Sequence, residues 1–192
     1  MLQLSDEWFS IRQCKLTASH AQAIAANGKG LQTYVREMMA EYYSSAEKVY
    51  FQNEHTKRGN ELEPLAAMAY EFKTGLKIQT IGFVEYNKYV GCSPDLLVGD
   101  EGLAEIKCPA DKTYFNYMLD GKINTKYLWQ MHMQMLVCKR MWCDYVVFNP
   151  HFKQDLIIQR VFWDKKKVLK LLKGFGSGIR MIRKIKQKMG GR

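Results

Sequence analysis

The chain has few of the residues that build cross-linked or membrane-spanning proteins. Its 192 residues include only five cysteines and four prolines. The cysteines form an odd set without a Cys-x-x-Cys pair, which argues against a disulfide framework and against a standard zinc or iron–sulfur site. No apolar run approaches the length of a membrane span, and residues 1–8 lack the basic and apolar segments of a signal peptide. We therefore expect a cytoplasmic protein that does not associate with membranes.

Internal repeats, proline-rich linkers and low-complexity segments are also absent from the sequence. With a mass of 22.4 kDa and 47% hydrophobic residues, the chain is long enough to bury one well-packed core. We expect a single domain over residues 1–192.

Acidic residues are missing from the C-terminal segment 165–192, which contains 11 of the 29 lysines and arginines. The rest of the chain has 18 basic residues against 19 acidic ones, so the net charge of +10 resides in this segment. Apolar residues at helical spacing predict an amphipathic helix there, with Gly174, Gly176 and Gly178 breaking it into two pieces. Its basic face would attract a polyanion such as nucleic acid, and a membrane surface is the alternative partner.

The hydrophobic periodicity predicts an α/β protein in which helices flank a mixed sheet. The expected helices lie near residues 5–13, 18–26, 31–46, 58–73, 111–119 and 125–138, and in the basic segment. The expected strands lie near residues 77–87, 90–98, 103–108, 143–149 and 156–162. Ser5 and Thr17 are the expected caps of the first two helices.

The most informative local pattern is a predicted β-hairpin with its turn at residues 99–102. If the register centres near residue 100, Asp95 lies opposite or diagonal to Glu105, and the two carboxylates can share a divalent cation. Alternation along the strand puts Lys107 on the face of Glu105 and leaves the Ile106 carbonyl as a further oxygen ligand. Such hard ligands suit Mg²⁺, with Mn²⁺ as a substitute.

This set of groups is chemically suited to phosphodiester hydrolysis. A metal-bound water deprotonates more easily, and an ammonium such as that of Lys107 can orient it. Pro-Asp and Glu-x-Lys are also common at turns and solvated strand edges, and the hairpin alone does not decide between the two interpretations.

Two further clusters could complete such a site. Ser19 falls in a first helical turn, where free amides favour a phosphate, and Arg12 could add a bidentate contact; the alternative is a surface arginine and an ordinary helix start. Pro64 is expected in another first helical turn, which puts Glu61 and Glu63 near a helix start. Either carboxylate could bind a metal, or it could simply be stabilised there by the helix dipole.

A third cluster consists of Tyr127, Gln130 and Gln134, which share one helical face. The two amides could face the hairpin and hold a phosphate or a metal-bound water.

In combination and order, these motifs resemble the YqaJ-like viral recombinase family, to which phage lambda exonuclease belongs, within the PD-(D/E)XK nuclease superfamily. The resemblance covers roughly residues 5–150. The motifs that carry it are Trp8-x-x-x-Arg12, Thr17-Ala18-Ser19, Arg58-Gly59-x-x-x-Glu63, Ser93-Pro94-Asp95, Glu105-Ile106-Lys107 and Tyr127-x-x-Gln130.

The resemblance implies a PD-(D/E)XK core and a role for each matching residue. The implied ligands are Asp95, Glu105 and the Ile106 carbonyl for a catalytic Mg²⁺ and Glu63 for a second metal. Lys107 would position the nucleophilic water, and Gln130 and Tyr127 would complete the site. The implied pocket for a terminal 5′-phosphate consists of Arg12, Ser19 and Thr17.

The activity implied by the resemblance is Mg²⁺-dependent 5′-to-3′ digestion of one strand of linear double-stranded DNA to mononucleotides, which leaves a 3′ single strand for phage-type recombination. A homotrimer and a single-strand annealing protein as partner are implied as well. The alternatives are an endonuclease of the same fold, such as a restriction or junction-cleaving enzyme, and a non-catalytic DNA-binding module.

Overall fold

The structure is a computed structural model that describes residues 3–45 and 54–190. Its strands are β1 (Leu16–Thr17), β2 (Ile78–Gln79), β3 (Val84–Asn87), β4 (Val90–Cys92), β5 (Leu96–Val98), β6 (Gly102–Lys107), β7 (Trp142–Phe148) and β8 (Leu156–Phe162). Its α-helices are α1 (Asp6–Arg12), α2 (Ala21–Ala26), α3 (Lys29–Tyr43), α4 (Glu54–Thr74), α5 (Asp111–Asp120), α6 (Thr125–Cys138) and α7 (Lys165–Lys188).

The centre of the molecule is a five-stranded mixed sheet with the order β2-β5-β6-β7-β8. Strands β6 and β7 are parallel and the other pairs are antiparallel, so the connection from β6 to β7 crosses over through α5 and α6. Helix α4 packs on one face of this sheet, and α5 and α6 pack on the other. A second, three-stranded sheet has the order β1-β4-β3 and packs with α2, α3 and α7.

The strand predictions are correct for the hairpin turn and wrong for the strands that precede it. Leu96 pairs with Ala104 and Val98 with Gly102, which confirms a register centred near residue 100. The predicted strand 90–98 is divided into β4 and β5, which belong to different sheets. Pro94 lies at the break, and because it has no amide hydrogen it cannot continue a ladder. The predicted strand 77–87 is likewise divided into β2 and β3.

The first two helix starts differ in how they are capped. The Ser5 hydroxyl accepts a hydrogen bond from the Trp8 amide at 3.3 Å, as predicted. The predicted helix 18–26 begins instead as a 3₁₀ turn at Ala18–His20, and Thr17 forms no capping hydrogen bond. The Thr17 hydroxyl contacts the hydroxyls of Ser19 and Tyr34 instead, both at 3.2 Å.

Helices α3 and α4 both depart from their predicted bounds. Helix α3 runs over Lys29–Tyr43 rather than 31–46, and residue 46 lies outside the described residues. The expectation that Pro64 lies in a first helical turn is wrong, because Pro64 is inside α4. Its ring is on the exposed side, while Ala66 and Tyr70 are buried against the sheet, and this packing outweighs the intrinsic cost of proline.

The basic C-terminal segment forms one continuous helix, which corrects the expectation that its glycines break it. A Cβ at Gly174 would lie 2.0 Å from the Ile24 carbonyl oxygen, and one at Gly178 would lie 2.7 Å from the Leu16 side chain. These glycines therefore allow α7 to approach α2 and β1 closely. The buried face of α7 is apolar, and most of its lysines and arginines are exposed, as predicted. None of the helices within the described ranges has the length and apolar character that a membrane span requires.

Candidate functional site

Glu105 is a fully buried carboxylate held by three side chains. It lies on β6 with 0% exposure, on the sheet face that α6 covers. The Gln130 amide donates to Oε1 and the Gln134 amide to Oε2, each at 2.6 Å, and Lys107 Nζ also donates to Oε1. Because buried charges are costly unless paired and hydrogen-bonded, this carboxylate is fixed in orientation by its donors.

Lys107 and Asp95 complete a compact charged group around Glu105. Lys107 Nζ donates to the Ile106 carbonyl at 2.8 Å and lies 4.0 Å from Asp95 Oδ2. The same Asp95 oxygen accepts a hydrogen bond from the Ile106 amide at 2.7 Å, which ties it to β6. Lys107 therefore lies on the same face as Glu105, as predicted, and Asp95 lies close to both.

Burial and neighbouring charges shift the pKa values within this group. Burial, and then the Glu105 charge, raise the pKa of Asp95 well above its ordinary value. Burial alone would lower the pKa of Lys107, but the Glu105 and Asp95 carboxylates outweigh it and raise that pKa. A site with one fully buried carboxylate, one partly buried carboxylate and one ammonium is suited to receive additional positive charge.

A cleft of about 390 Å³ opens onto Lys107 and is here named the Lys107 cleft. Its walls include Glu63 from α4 and Tyr127 from α6, together with Ile106. Burial, and then the charge of Glu105, raise the pKa of Glu63, while Lys107 lowers it, so Glu63 lies within the field of the group. Glu61 instead is exposed and lies 4.0 Å from Lys57, which favours Glu63 of the two candidates.

The residues present fit a hard divalent cation that keeps part of its water shell. Lys107 Nζ, itself a cation, contacts Glu105 Oε1 and the Ile106 carbonyl and faces Asp95, which are the three oxygen donors expected around a metal. Within the described ranges no three His, Cys, Asp or Glu side chains converge closely enough to hold a metal alone. A metal here would therefore need the Ile106 carbonyl and water, as Mg²⁺ commonly does.

Arg12 lies at a separate cavity of about 280 Å³, here named the Arg12 pocket. Its guanidinium stacks on the Trp8 ring at 3.9 Å and donates to the Ser93 hydroxyl at 3.1 Å. Trp8 Nε1 donates to the same hydroxyl at 2.8 Å. Ser93 is two residues before Asp95, so this contact links the Arg12 pocket to the charged group.

The other residues predicted at the Arg12 pocket are only partly brought together. Thr17 and His20 line it, but Ser19 does not; the Ser19 hydroxyl lies 3.2 Å from both Thr17 Oγ1 and His20 Nδ1. Glu37 and Glu41 also line the pocket, which lowers its positive potential. Ser19 is exposed and lies beside the pocket, next to these two lining residues.

Two residues of these sites were not assigned from the sequence. Tyr34 donates to the Lys15 carbonyl and stacks on the His20 ring with centroids 3.8 Å apart, and no local pattern marks it. Ser93 could have been found, because it precedes Pro94-Asp95 in one of the motifs.

A family model and several solved structures match the chain. The model of the YqaJ-like viral recombinase domain matches residues 7–141. The chain belongs to the YqaJ-like viral recombinase family. No curated protein matches the chain significantly in sequence.

Two solved structures of one enzyme are similar to this family member over nearly its whole length. The alkaline exonuclease LHK-Exo from Laribacter hongkongensis matches with a TM-score of 0.88 and 28% identity, covering 96% of each chain. Its complex with dAMP matches with a TM-score of 0.86 and 29% identity, covering 96% of this chain and 98% of that one.

A phage-related exonuclease from Haemophilus somnus 129PT shares the fold, with a TM-score of 0.69 and 17% identity over 94% of this chain and 99% of that one. The prediction of a PD-(D/E)XK-type core, with a central mixed sheet flanked by helices, is confirmed.

Proposed function

We propose that this protein is a metal-dependent 5′-to-3′ exonuclease that degrades one strand of linear double-stranded DNA to mononucleotides. The observation that carries the proposal is the convergence of Asp95, Glu105, the Ile106 carbonyl and Lys107 on one point. Membership of the family and similarity to an alkaline exonuclease support the nuclease activity. The dAMP complex of that relative supports a mononucleotide as the product.

In this proposal Asp95 and Glu105, with the Ile106 carbonyl, hold a catalytic Mg²⁺ or Mn²⁺, and Glu63 serves a second metal. When bound, the metal supplies a water of lowered pKa and neutralises charge on the phosphate. Gln130 and Gln134 keep both Glu105 oxygens in place. Lys107 holds a positive charge beside the scissile phosphate and orients the attacking water, and Tyr127, whose ring centroid is 5.4 Å from Nζ, limits where that ammonium can move.

The preference for DNA ends is assigned to the Arg12 pocket. Arg12, Thr17 and Ser19 would receive the terminal 5′-phosphate, one nucleotide away from the phosphate that is cut. The 3′ single strand that remains would pass to a single-strand annealing protein in phage-type recombination. A homotrimer in the cytoplasm of the cell is part of the same proposal, and sedimentation of the purified protein tests the trimer.

The proposal is tested with linear 5′-phosphorylated duplex DNA and covalently closed circles. The linear DNA is expected to be degraded with Mg²⁺ and spared in chelator, and the circles are expected to survive. Efficient cutting of circles would instead favour an endonuclease of this fold.

A variant of the charged group provides the second test. Lys107→Ala is expected to lower the rate by at least about a hundredfold, because it removes the ammonium beside the reacting phosphate. DNA binding measured by anisotropy is expected to persist. The exposed Lys153→Ala is the matched control, and an active Lys107→Ala enzyme would mean that the centre lies elsewhere.

A further inference from the structure

A second groove adjoins the Lys107 cleft, and apart from Lys107 and Tyr127 its lining residues have no role in the proposed reaction. It measures about 370 Å³ and shares Lys107, Pro109, Thr113 and Tyr127 with the cleft, so the two are continuous. Its other walls come from α5, the loop after it, the start of α6 and β7. We call it the tyrosine groove, because Tyr117, Tyr127 and Tyr145 line it together.

The tyrosine rings form a continuous aromatic wall. The Tyr127 and Tyr145 rings are stacked with centroids 5.7 Å apart, and Tyr117 meets Tyr145 edge-on at the same distance. Tyr145 is buried, whereas Tyr117 and Tyr127 are half-buried and present part of their rings to the groove. Nucleobases of any sequence can stack on such surfaces, which is how many proteins hold single strands.

The rim of the tyrosine groove is basic. Lys122 and Lys126 are exposed there, with Asp120 as the single acidic residue among the groove's lining side chains. Lys126 Nζ lies 4.7 Å from the centroid of the Tyr127 ring, so this ammonium is held directly beside the aromatic wall. Aromatic faces with adjoining ammonium groups suit a nucleic-acid strand, which offers bases and phosphates at regular spacing.

The sheet order sets the groove on the opposite side of the charged group from Arg12. Asp95, with Ser93 and Arg12, adjoins the β5 side of β6. Tyr145 pairs with Glu105 and Val147 with Lys107 on the β7 side. A DNA strand that runs from the Arg12 pocket past Lys107, across the end of the sheet, would therefore continue into the tyrosine groove.

We propose that the tyrosine groove binds the DNA strand that is being cut, on the 3′ side of the scissile phosphate. Its bases stack on Tyr127 and Tyr117, and its phosphates contact Lys122 and Lys126. The proposal rests on the proposed function, because the 5′ end at Arg12 fixes which part of the strand reaches the groove.

The test compares DNA binding with mononucleotide binding in the whole protein. The double variant Lys122→Ala/Lys126→Ala is compared with wild type and with Lys112→Ala, an exposed lysine of α5 outside the groove. Dissociation constants are measured with Ca²⁺ in place of Mg²⁺, for 5′-phosphorylated duplex DNA over a range of salt concentrations and for dAMP. Two lost phosphate contacts are expected to reduce the slope of log K against log salt by about two and to weaken DNA binding roughly tenfold or more. Binding of dAMP is expected to stay unchanged.

The outcomes separate the possibilities. Loss of both DNA and dAMP affinity would overturn the proposal and assign the groove to the departing nucleotide. Unchanged DNA affinity and salt slope would overturn it outright. This experiment measures binding, so its result can be interpreted even if the wild-type protein fails to degrade linear DNA. Failure to degrade linear DNA would instead refute the proposed function.

A second variant tests the stacking. The fluorescence of 2-aminopurine placed just 3′ of the scissile bond is expected to be quenched in wild type and in Tyr117→Phe, which keeps the ring. Tyr117→Ala is expected to restore that fluorescence several-fold. Equal quenching in all three proteins would contradict a stacking role for Tyr117.

Discussion

Glu105 is the residue on which the geometry of the charged group depends most. Its two carboxylate oxygens accept hydrogen bonds from two α6 side chains and from Lys107, and neither oxygen is exposed to solvent. Gln134 is fully buried and Gln130 is half-buried, so the amides are held by packing as well as by the hydrogen bonds that they donate. Such outer contacts fix the direction in which a ligand presents its charge.

Gln134→Leu is expected to weaken metal use while it keeps the volume of the side chain. It removes the donor to Glu105 Oε2, and we expect the Mg²⁺ concentration for half-maximal rate to rise roughly tenfold to a hundredfold. Metal titration of the rate measures this, with the exposed Gln22→Leu as control. An unchanged titration curve would show that Gln134 does not orient Glu105.

Arg12→Ala is expected to remove the preference for phosphorylated ends. A charge-assisted contact with a phosphate contributes about 1.5–3 kcal/mol, so the ratio of rates on 5′-phosphorylated and 5′-hydroxyl duplexes is expected to fall roughly tenfold to a hundredfold. The exposed Arg36→Ala is the matched control. If the ratio persists in Arg12→Ala, the terminal phosphate is bound elsewhere.

At the scale of elements, the contact between α7 and α2 explains why α7 carries glycines without breaking. Gly174 faces the Ile24 carbonyl, whereas a Cβ at Gly176 would come no closer than 3.5 Å, to a flexible Arg180 nitrogen. The same residue type thus serves close packing at one position and only loosens the helix at the other.

Gly174→Ala is expected to destabilise the protein by roughly 1–3 kcal/mol or more, because the helices must move apart. Gly176→Ala is expected to be neutral or to stabilise it by about 0.5–1 kcal/mol, because alanine favours helix. Denaturant unfolding of both variants measures the difference. Equal effects at the two sites would mean that the close approach of α7 to α2 does not matter for stability.

The sequence predicted elements well where local pattern and tertiary structure agree. The turn at residues 99–102 and the position of Asp95 beside the Glu105 strand follow from turn residues and alternation, and both are present. The division of strand 90–98 between two sheets could not be predicted, because the local sequence does not show which strand each half pairs with. The position of Pro64 inside α4 could not be predicted either, because burial of Ala66 and Tyr70 decides it.

The candidate site was predictable to a similar degree. The proximity of Asp95, Glu105, Lys107 and Gln130 could be predicted from motif spacing, because one hairpin and one helix face bring these residues together. Arg12 and Ser93, which are in contact, are 81 positions apart in the chain. Hydrophobic periodicity describes local structure and cannot predict a contact between residues so far apart. Ser19 shows the limit of the motif, since it matches by sequence and yet lies outside the lining of the Arg12 pocket.

At the scale of the whole molecule, the two proposals together describe one path for DNA. It would lead from the Arg12 pocket, on the β5 side of β6, to the continuous Lys107 cleft and tyrosine groove, on the β7 side. The net charge of +10 favours approach of a polyanion, and the exposed basic side of α7 adds a sequence-independent attraction that salt would weaken. The proposed exonuclease would use this path to receive a DNA end.

The measurement that tests this account most directly is the product pattern from a linear duplex labelled on one strand, once at the 5′ end and once at the 3′ end. With Mg²⁺, we predict that the 5′ label appears at once as a mononucleotide, while the 3′ label stays in strands that shorten progressively. Release of the 3′ label first as a mononucleotide, or release of both labels in long terminal fragments, would contradict a 5′-to-3′ exonuclease.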